Sequence, residues 1–293
     1  MPSTRDIRRR IKSVKGTAQI TKAMQMVASS KMLKAQQSAL NYRPFAKMAS
    51  ELMGHLAEDT AEDYRHPLME QRDVRKRGLI VIGTDKGLCG ALNSNLFREI
   101  SKYKNATTEF IAVGKKAAQF LARTKRKLVA EFTYHDTPTF GECQAIAKFA
   151  EGLFLKGEVD AVDVLYTRFI NTLSQRPEAR PLLPIGSVES LRAEVRGNAK
   201  EAPPEHPHFD FLFEPDAATV MDRLMLYFID FRVAQLLLEA KASEHSARMV
   251  AMKNATDNAH EIVKHLTLEY NKMRQASITK ELLEISSAAM ALG

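Results

Sequence analysis

The chain has 293 residues, 45% of them hydrophobic and 27% charged, with 7% aromatics and no Trp, which is the make-up of a soluble, helix-leaning protein of one large domain or two modest ones. No apolar run nears the roughly 18 residues that cross a bilayer, Met1-Pro2-Ser3 opens straight onto charged sequence with no signal peptide, and the two cysteines, Cys89 and Cys143, cannot build a disulfide framework. A secreted scaffold, an integral membrane protein and a disordered tail are excluded on these grounds. The net charge of +8 is uneven: residues 1–50 hold eleven Lys or Arg against the single acid Asp6, and the remainder is slightly acidic. Such asymmetry suits either an anionic partner or a solvated helix face.

Residues 3–60 read as one long helix. Ser3 and Asp6 make a capping pattern that also sets an acid at the positive helix end. Ile7, Ile11, Val14 and Ala18 step by four, three and four, and Ile20, Met24 and Val27 form a second short stripe. Pro44 is expected to bend the helix. Residues 61–77 read as a linker.

From 78 to 214 the period changes. Leu79–Ile82, Phe110–Val113 and Ala161–Ile170 are strand-like apolar runs, and Leu96–Tyr103, Lys115–Arg123 and Gln144–Leu155 are helical patterns between them. This alternation predicts a small α/β domain on a mainly parallel sheet. Residues 196–208 read as an exposed Pro-bearing loop, followed by an edge-strand pattern at Phe209, Phe211 and Phe213.

The block 215–293 carries the strongest pattern. Alternating steps of four and three from Leu224 give Phe228, Phe231, Gln235, Leu238, Ala242, His245, Met249, Met252, Thr256, Ala259, Val263, Leu266, Tyr270 and Met273. Gln235, His245 and Thr256 are the exceptions to an apolar seam. The register then slips by one and resumes at Ile278, Leu282, Ile285, Ala289 and Leu292. A heptad repeat this long predicts a coiled coil, and the economical partner for it is the N-terminal helix, antiparallel.

Chemistry-bearing motifs are few. Gly83-Thr-Asp-Lys-Gly-Leu-Cys-Gly90 follows a strand but lacks the Gly-Lys-Ser/Thr of a Walker loop, and Asp85 stands where a dinucleotide fingerprint needs its second Gly. A tight Gly-bearing turn into a helix near Asn93 is the plainer reading. His260 and His265 are five apart, on different faces of a helix, and so do not match a zincin pair. His206 and His208 have no Cys nearby. Cys89 and Cys143 read as small buried residues, and no nucleophile elbow or acid–base pair stands out. No catalytic, cofactor or metal residue is assigned. A basic coiled-coil nucleic-acid-binding protein is the alternative the charge leaves open, with a nucleotide-dependent enzyme on the α/β block as a weaker one.

Both ends of the chain resemble the gamma subunit of F-type ATP synthase. The resemblance rests on Arg5-Asp-Ile-Arg-Arg-Arg-Ile-Lys-Ser-Val-Lys15 and Ile20-Thr-Lys-Ala-Met-Gln-Met-Val27 at the start. At the other end it rests on Ser243-Glu-His-Ser-Ala-Arg-Met-Val-Ala-Met-Lys-Asn-Ala-Thr-Asp-Asn258 and Tyr270-Asn-Lys-Met-Arg-Gln-Ala-Ser-Ile-Thr-Lys-Glu-Leu283. Between them, Thr84-Asp-Lys-Gly-Leu-Cys-Gly-Ala-Leu-Asn93 is similar to a hallmark of the same family.

The resemblance implies a long antiparallel coiled coil of the two terminal helices beside a Rossmann-like α/β domain. It implies a non-catalytic rotor shaft with no cofactor of its own, at the cytoplasmic face of a bacterial inner membrane. Expected partners are the alpha and beta subunits, the epsilon subunit and the c-ring, with no nucleic acid. By motif match, Lys22, Met24 and Arg248 are expected to meet acidic loops of beta. Arg274, Gln275, Thr279 and Glu281 are expected to latch onto the catalytic subunits. Phe211, Phe213 and Glu214 would form a foot on the c-ring.

Overall fold

The computed structural model describes residues 3–59, 66–186, 214 and 216–292. In chain order these form α1 (Thr4–Asp59), a 3-10 turn (Pro67–Met69), β1 (Arg77–Ile82), α2 (Leu92–Ile100), β2 (Thr108–Val113), α3 (Lys115–Arg123), β3 (Leu128–Phe132), α4 (Phe140–Leu155), β4 (Ala161–Phe169), β5 (Gln175–Leu183) and α5 (Ala217–Leu292). The chain falls into two compact units, one built from the chain up to Ser29 and from Arg248 onward, the other from Ser30 to Ala247. Each terminal helix contributes to both.

The first unit is a helix pair. Ser3 caps α1: its Oγ accepts the Asp6 N–H at 3.2 Å, and the Asp6 carboxylate accepts the Ser3 N–H and O–H in return. These hydrogen bonds, helped by Arg9 and Arg10, hold the Asp6 carboxyl below its ordinary range. Arg8 bonds the Tyr270 hydroxyl and Thr21 bonds Thr256, so α1 and α5 run antiparallel. On α5 the buried or half-buried positions Met252, Thr256, Ala259, Val263, Leu266, Tyr270 and Met273 follow the expected steps of four and three.

On α1 the outcome differs from expectation between Ile20 and Val27. Ile7, Ile11, Val14 and Ala18 do face α5, and the same rhythm carries on through Thr21, Gln25 and Ala28. Ile20 and Val27 are instead 63% and 55% exposed. A heptad repeat preserves one face, so the step of two from Ala18 to Ile20 moves that stripe off the seam. The small side chains of Ala18, Thr21 and Ala28 let the helices approach where larger ones would hold them apart.

The second unit is built on a five-stranded sheet in the order β3-β2-β1-β4-β5. The first four strands are parallel and β5 pairs antiparallel with β4. β1 and β2 are almost wholly buried, because both faces of the sheet are covered. Leu79, Val81, Phe110 and Ala112 pack on α2 and α3. Ile80, Ile82, Ile111, Val113 and Tyr166 pack toward α4 and α5. The expected strands and helices are present, with β3 and β5 in addition. β3 is short, with a half-buried alternation, and β5 has Pro177 and Pro181 within it; Pro is tolerated on such an edge strand but hides it from pattern reading.

Within this unit α5 departs from a one-sided stripe. Gln235 is exposed, and nearly every position from Leu236 to Ser246 is buried. α4 and the sheet share one apolar core with this stretch, and α1 meets α5 just before it, so a two-helix seam is the wrong description of it. Phe231 marks the crowding, with ring centroids of Tyr42 and Phe45 from α1 at 6.2 Å and of Phe140 from α4 at 5.4 Å. The loop 196–208 and the edge-strand pattern at Phe209, Phe211 and Phe213 lie outside the described residues.

Candidate functional site: the joint between helices and sheet

Glu239 is half-buried and the polar side chains from Lys241 to Ser246 of α5 are buried, an unusual composition for a helix core. Their partners explain it. The β4–β5 hairpin runs beyond the end of β1, and α5 lies along it. Glu239, Ser243 and Ser246, spaced four and three apart, address its backbone in turn. Glu239 accepts the Phe169 N–H at 3.3 Å, Ser243 donates to the Thr167 carbonyl at 2.8 Å, and Ser246 donates to the Thr172 carbonyl at 2.9 Å. Burial pushes the Glu239 carboxyl up, against the pull of Arg180 and of the hydrogen bonds it accepts from the Phe169 N–H and the Tyr166 hydroxyl.

The neighbouring face of α5 carries charge. Lys241 is 1% exposed, with its Nζ 3.1 Å from Glu244 Oε2 and 4.2 Å from the centre of the Tyr134 ring. Tyr134 follows β3, and its hydroxyl donates to the Gly83 carbonyl at the end of β1, at 3.0 Å. Burial, then the charges of Glu244, Asp85 and Asp136, push that phenol well above its usual value. Asp136, two residues on, bonds Lys31 of α1 at 2.5 Å. Its other oxygen lies 3.9 Å from Lys241 Nζ and 3.8 Å from His245 Nε2. Burial raises the Asp136 carboxyl, but the Lys31 bond and the surrounding cations outweigh it and leave it below its ordinary range.

Sequence reasoning missed this joint. Its one local sign was the run Lys241-Ala-Ser-Glu-His-Ser246, too polar for a heptad seam.

The Gly83–Gly90 segment is a structural turn. Asn93 Nδ2 donates to Thr84 Oγ1 at 2.7 Å, Thr84 Oγ1 to the Lys86 carbonyl at 2.9 Å, and Asp85 accepts the Lys115 N–H at 3.0 Å. Thr84 and Asp85 are thus committed to holding the turn and the start of α3. In open α/β sheets ligands favour the carboxyl ends of strands where the order reverses, here between β1 and β4. α5 runs against those ends, through Ser243 on Thr167 and Lys241 over Tyr134. Among the described residues no three His, Cys, Asp or Glu are grouped to hold a metal. His260 and His265 are exposed, and Cys89 and Cys143 are buried and not joined in a disulfide.

Of the residues singled out by motif, Lys22 is exposed and Met24 half-buried on α1, and Arg248 is buried on α5 in the same helix-pair unit. Arg274, Gln275, Thr279 and Glu281 are all exposed on α5 beyond Met273, where the pairing with α1 ends; Glu281 accepts the Ser277 hydroxyl at 3.2 Å. Glu214 is exposed in the other unit, and Phe211 and Phe213 lie outside the described residues.

Fold and site together define a class: an antiparallel helix pair whose two helices are also bonded to a doubly covered α/β sheet. The family model described as ATP synthase matches residues 3–292. The chain is 47% identical to the ATP synthase gamma chain of Opitutus terrae over 99% of both chains. It is 25% identical to a chain in the central stalk/c-ring structure of Tetrahymena thermophila mitochondrial ATP synthase, covering 80% of this chain and 99% of that one with a TM-score of 0.57. It shares the fold of a chain in the OSCP/F1/c-ring structure of Euglena gracilis mitochondrial ATP synthase, at 21% identity, TM-score 0.67, and 99% and 94% coverage. The chain belongs to the ATP synthase gamma family, the non-catalytic central-stalk subunits of that complex.

Proposed function

We propose that the chain turns as the central-stalk rotor of an F-type ATP synthase. It couples ion flow through the membrane sector to ATP synthesis or hydrolysis at the alpha–beta sites. The carrying observation is the end of α5. Beyond Met273 every described side chain is exposed, including Ile278, Leu282, Leu283, Ile285 and Met290. Ser286, Ser287 and Ala288 lie among them. A continuous helix with mixed small and large apolar groups and no cover of its own suits an enclosing sleeve formed by other subunits. Few charges are present there to be desolvated as it turns.

In this reading Lys22, Met24 and Arg248 meet acidic loops of beta, where charge complementarity passes force without fixed packing. Arg274, Gln275, Thr279 and Glu281 engage the alpha–beta collar. Phe211, Phe213 and Glu214 meet the c-ring, and the epsilon subunit completes the foot. The terminal helices 1–60 and 215–293 serve as shaft, with 78–214 as the α/β domain and 61–77 as the linker. No helix among the described residues is long and apolar enough to cross a membrane, so attachment runs through the complex. Identity to the Opitutus terrae chain is about twice that to the mitochondrial chains, which favours the cytoplasmic face of a bacterial inner membrane. The basic α1 is accounted for by this role, and the nucleic-acid alternative is set aside.

Reconstitution tests the proposal. Purified chain is mixed with alpha and beta subunits, and native mass and ATP hydrolysis are followed. A particle of three alpha, three beta and one copy of this chain, turning over ATP steadily, is the expected result. A matched alpha–beta set that neither captures the chain nor gains activity would overturn it.

A further inference from the structure

The joint at Asp136 sits where both terminal helices are about to leave the sheet-containing unit. Lys31 lies one residue past the Ser30 limit of that unit on α1, and His245 two residues before its Ala247 limit on α5. Torque that enters through the α/β domain is passed to α1 and α5 within this unit, and the Asp136 contacts are among those that pass it. The apolar contacts around Phe231 resist separation, but apolar packing is non-directional and yields to sliding and twist. The hydrogen bonds of Glu239, Ser243 and Ser246 tie α5 alone to the β4–β5 hairpin. Asp136 differs, because its two oxygens address two helices: Lys31 of α1 on one side, Lys241 and His245 of α5 on the other.

We infer that Asp136 is a positioning residue for rotary coupling, a carboxylate clamp that fixes the angular setting of α1 and α5 against the α/β domain under load. This rests on the rotor reading above. The loop carrying Asp136 is itself anchored, because Tyr134 is bonded to the end of β1 and covered by Lys241. A twist of either helix therefore pulls on the sheet. Lys241 keeps Glu244 as a partner when the Asp136 charge is removed, and Lys31 and Asp136 are each about half exposed, so neutral variants at both positions are expected to fold.

The test uses the complete complex in liposomes and compares ATP-driven ion pumping with ATP hydrolysis. Asp136→Asn, Lys31→Met, their double variant and Asp136→Glu are measured beside the wild type. The clamp predicts that K31M, which removes the α1 side, lowers the pumping-to-hydrolysis ratio about fivefold, the scale of one lost partly exposed ion pair, and that D136N, which removes both sides, lowers it at least as much. Hydrolysis by the alpha–beta–gamma subcomplex, which needs no torque through the α/β domain, stays within about twofold. The double variant is no worse than D136N, because D136N already removes the bond to Lys31, and D136E restores most of the ratio by keeping the charge. An unchanged ratio in D136N, or a double variant whose loss is the product of the two single losses, overturns the clamp. A wild-type chain that fails to assemble with alpha and beta overturns the rotor reading instead. If D136N proves unstable, K31M reads the same bond from the α1 side.

Discussion

Thr21 and Thr256 face one another inside the helix pair, with their hydroxyl oxygens 2.7 Å apart. Each hydroxyl has one proton, and each also reaches a carbonyl of its own helix, Ala18 at 3.1 Å for Thr21 and Met252 at 2.8 Å for Thr256. Two protons serve three hydrogen bonds, so the cross-helix bond forms only when one Thr gives up its backbone acceptor. The pair fixes the register of α1 against α5 more sharply than apolar neighbours would.

Removing both partners should therefore cost less than the sum of removing each, because the two changes delete the same cross-helix bond while the remaining hydroxyl keeps its own-helix carbonyl. Thr256→Val and Thr21→Val are each expected to lower stability by about 1 kcal/mol, and the double variant by little more than either. Urea unfolding of the single and double variants checks this. A double variant as unstable as the sum of its parts contradicts it.

Gly83 ends β1 where α3 passes closely. A Cβ there would lie 2.8 Å from Ala117 Cβ and 3.1 Å from its backbone nitrogen. Gly83→Ala should destabilise the chain by about 1–3 kcal/mol, since backbone and not a flexible side chain is in the way. Adding Ala117→Gly should return only part of the loss, because the nitrogen remains and Gly weakens the helix. Thermal melting of the two variants measures both effects.

The contact of α4 with α5 should respond to pH. Glu151 is buried, and burial followed by the charge of Asp230 raises its carboxyl to about 7, with Lys148 pulling the other way. Asp230, whose own carboxyl is raised by burial, accepts a hydrogen bond from Gln144 at 3.1 Å. The folded chain thus binds a proton that the unfolded chain releases near its ordinary value of 4.5. The stabilisation is complete below that value and is lost as pH rises through about 7. Melting temperature should fall from pH 5 to pH 8, and Glu151→Gln should flatten that part of the curve. An equal slope in both proteins counts against the assignment.

The end of α5 separates stability from assembly. Leu282 and Leu283 are 62% and 65% exposed, so Leu282→Lys or Leu283→Lys should leave the melting of the isolated chain within about 0.5 kcal/mol. In the reconstituted complex the same changes should reduce assembly or ATP hydrolysis severalfold, since a Lys carried into an apolar sleeve is desolvated. Normal assembly and hydrolysis would count against the sleeve.

Periodicity is a local property, and what depended on it could be read directly. The long helices, the Ser3–Asp6 cap, the seam from Met252 to Met273 and the alternation of a parallel sheet each need only a few successive turns or strands to declare themselves. The motifs at the two ends were legible for the same reason, being contiguous. The choice between Ile20 and Thr21 was not local, because it turned on which face of α1 met α5. Asp136 is 105 residues from Lys31 and just as far from Lys241 in sequence, an ordinary loop aspartate until the sheet brings its loop beneath both helices. Hydrophobic spacing along the chain determined the elements and their pairing; the joint between them was decided by tertiary structure, because charges far apart in sequence meet only once the core has set their distance.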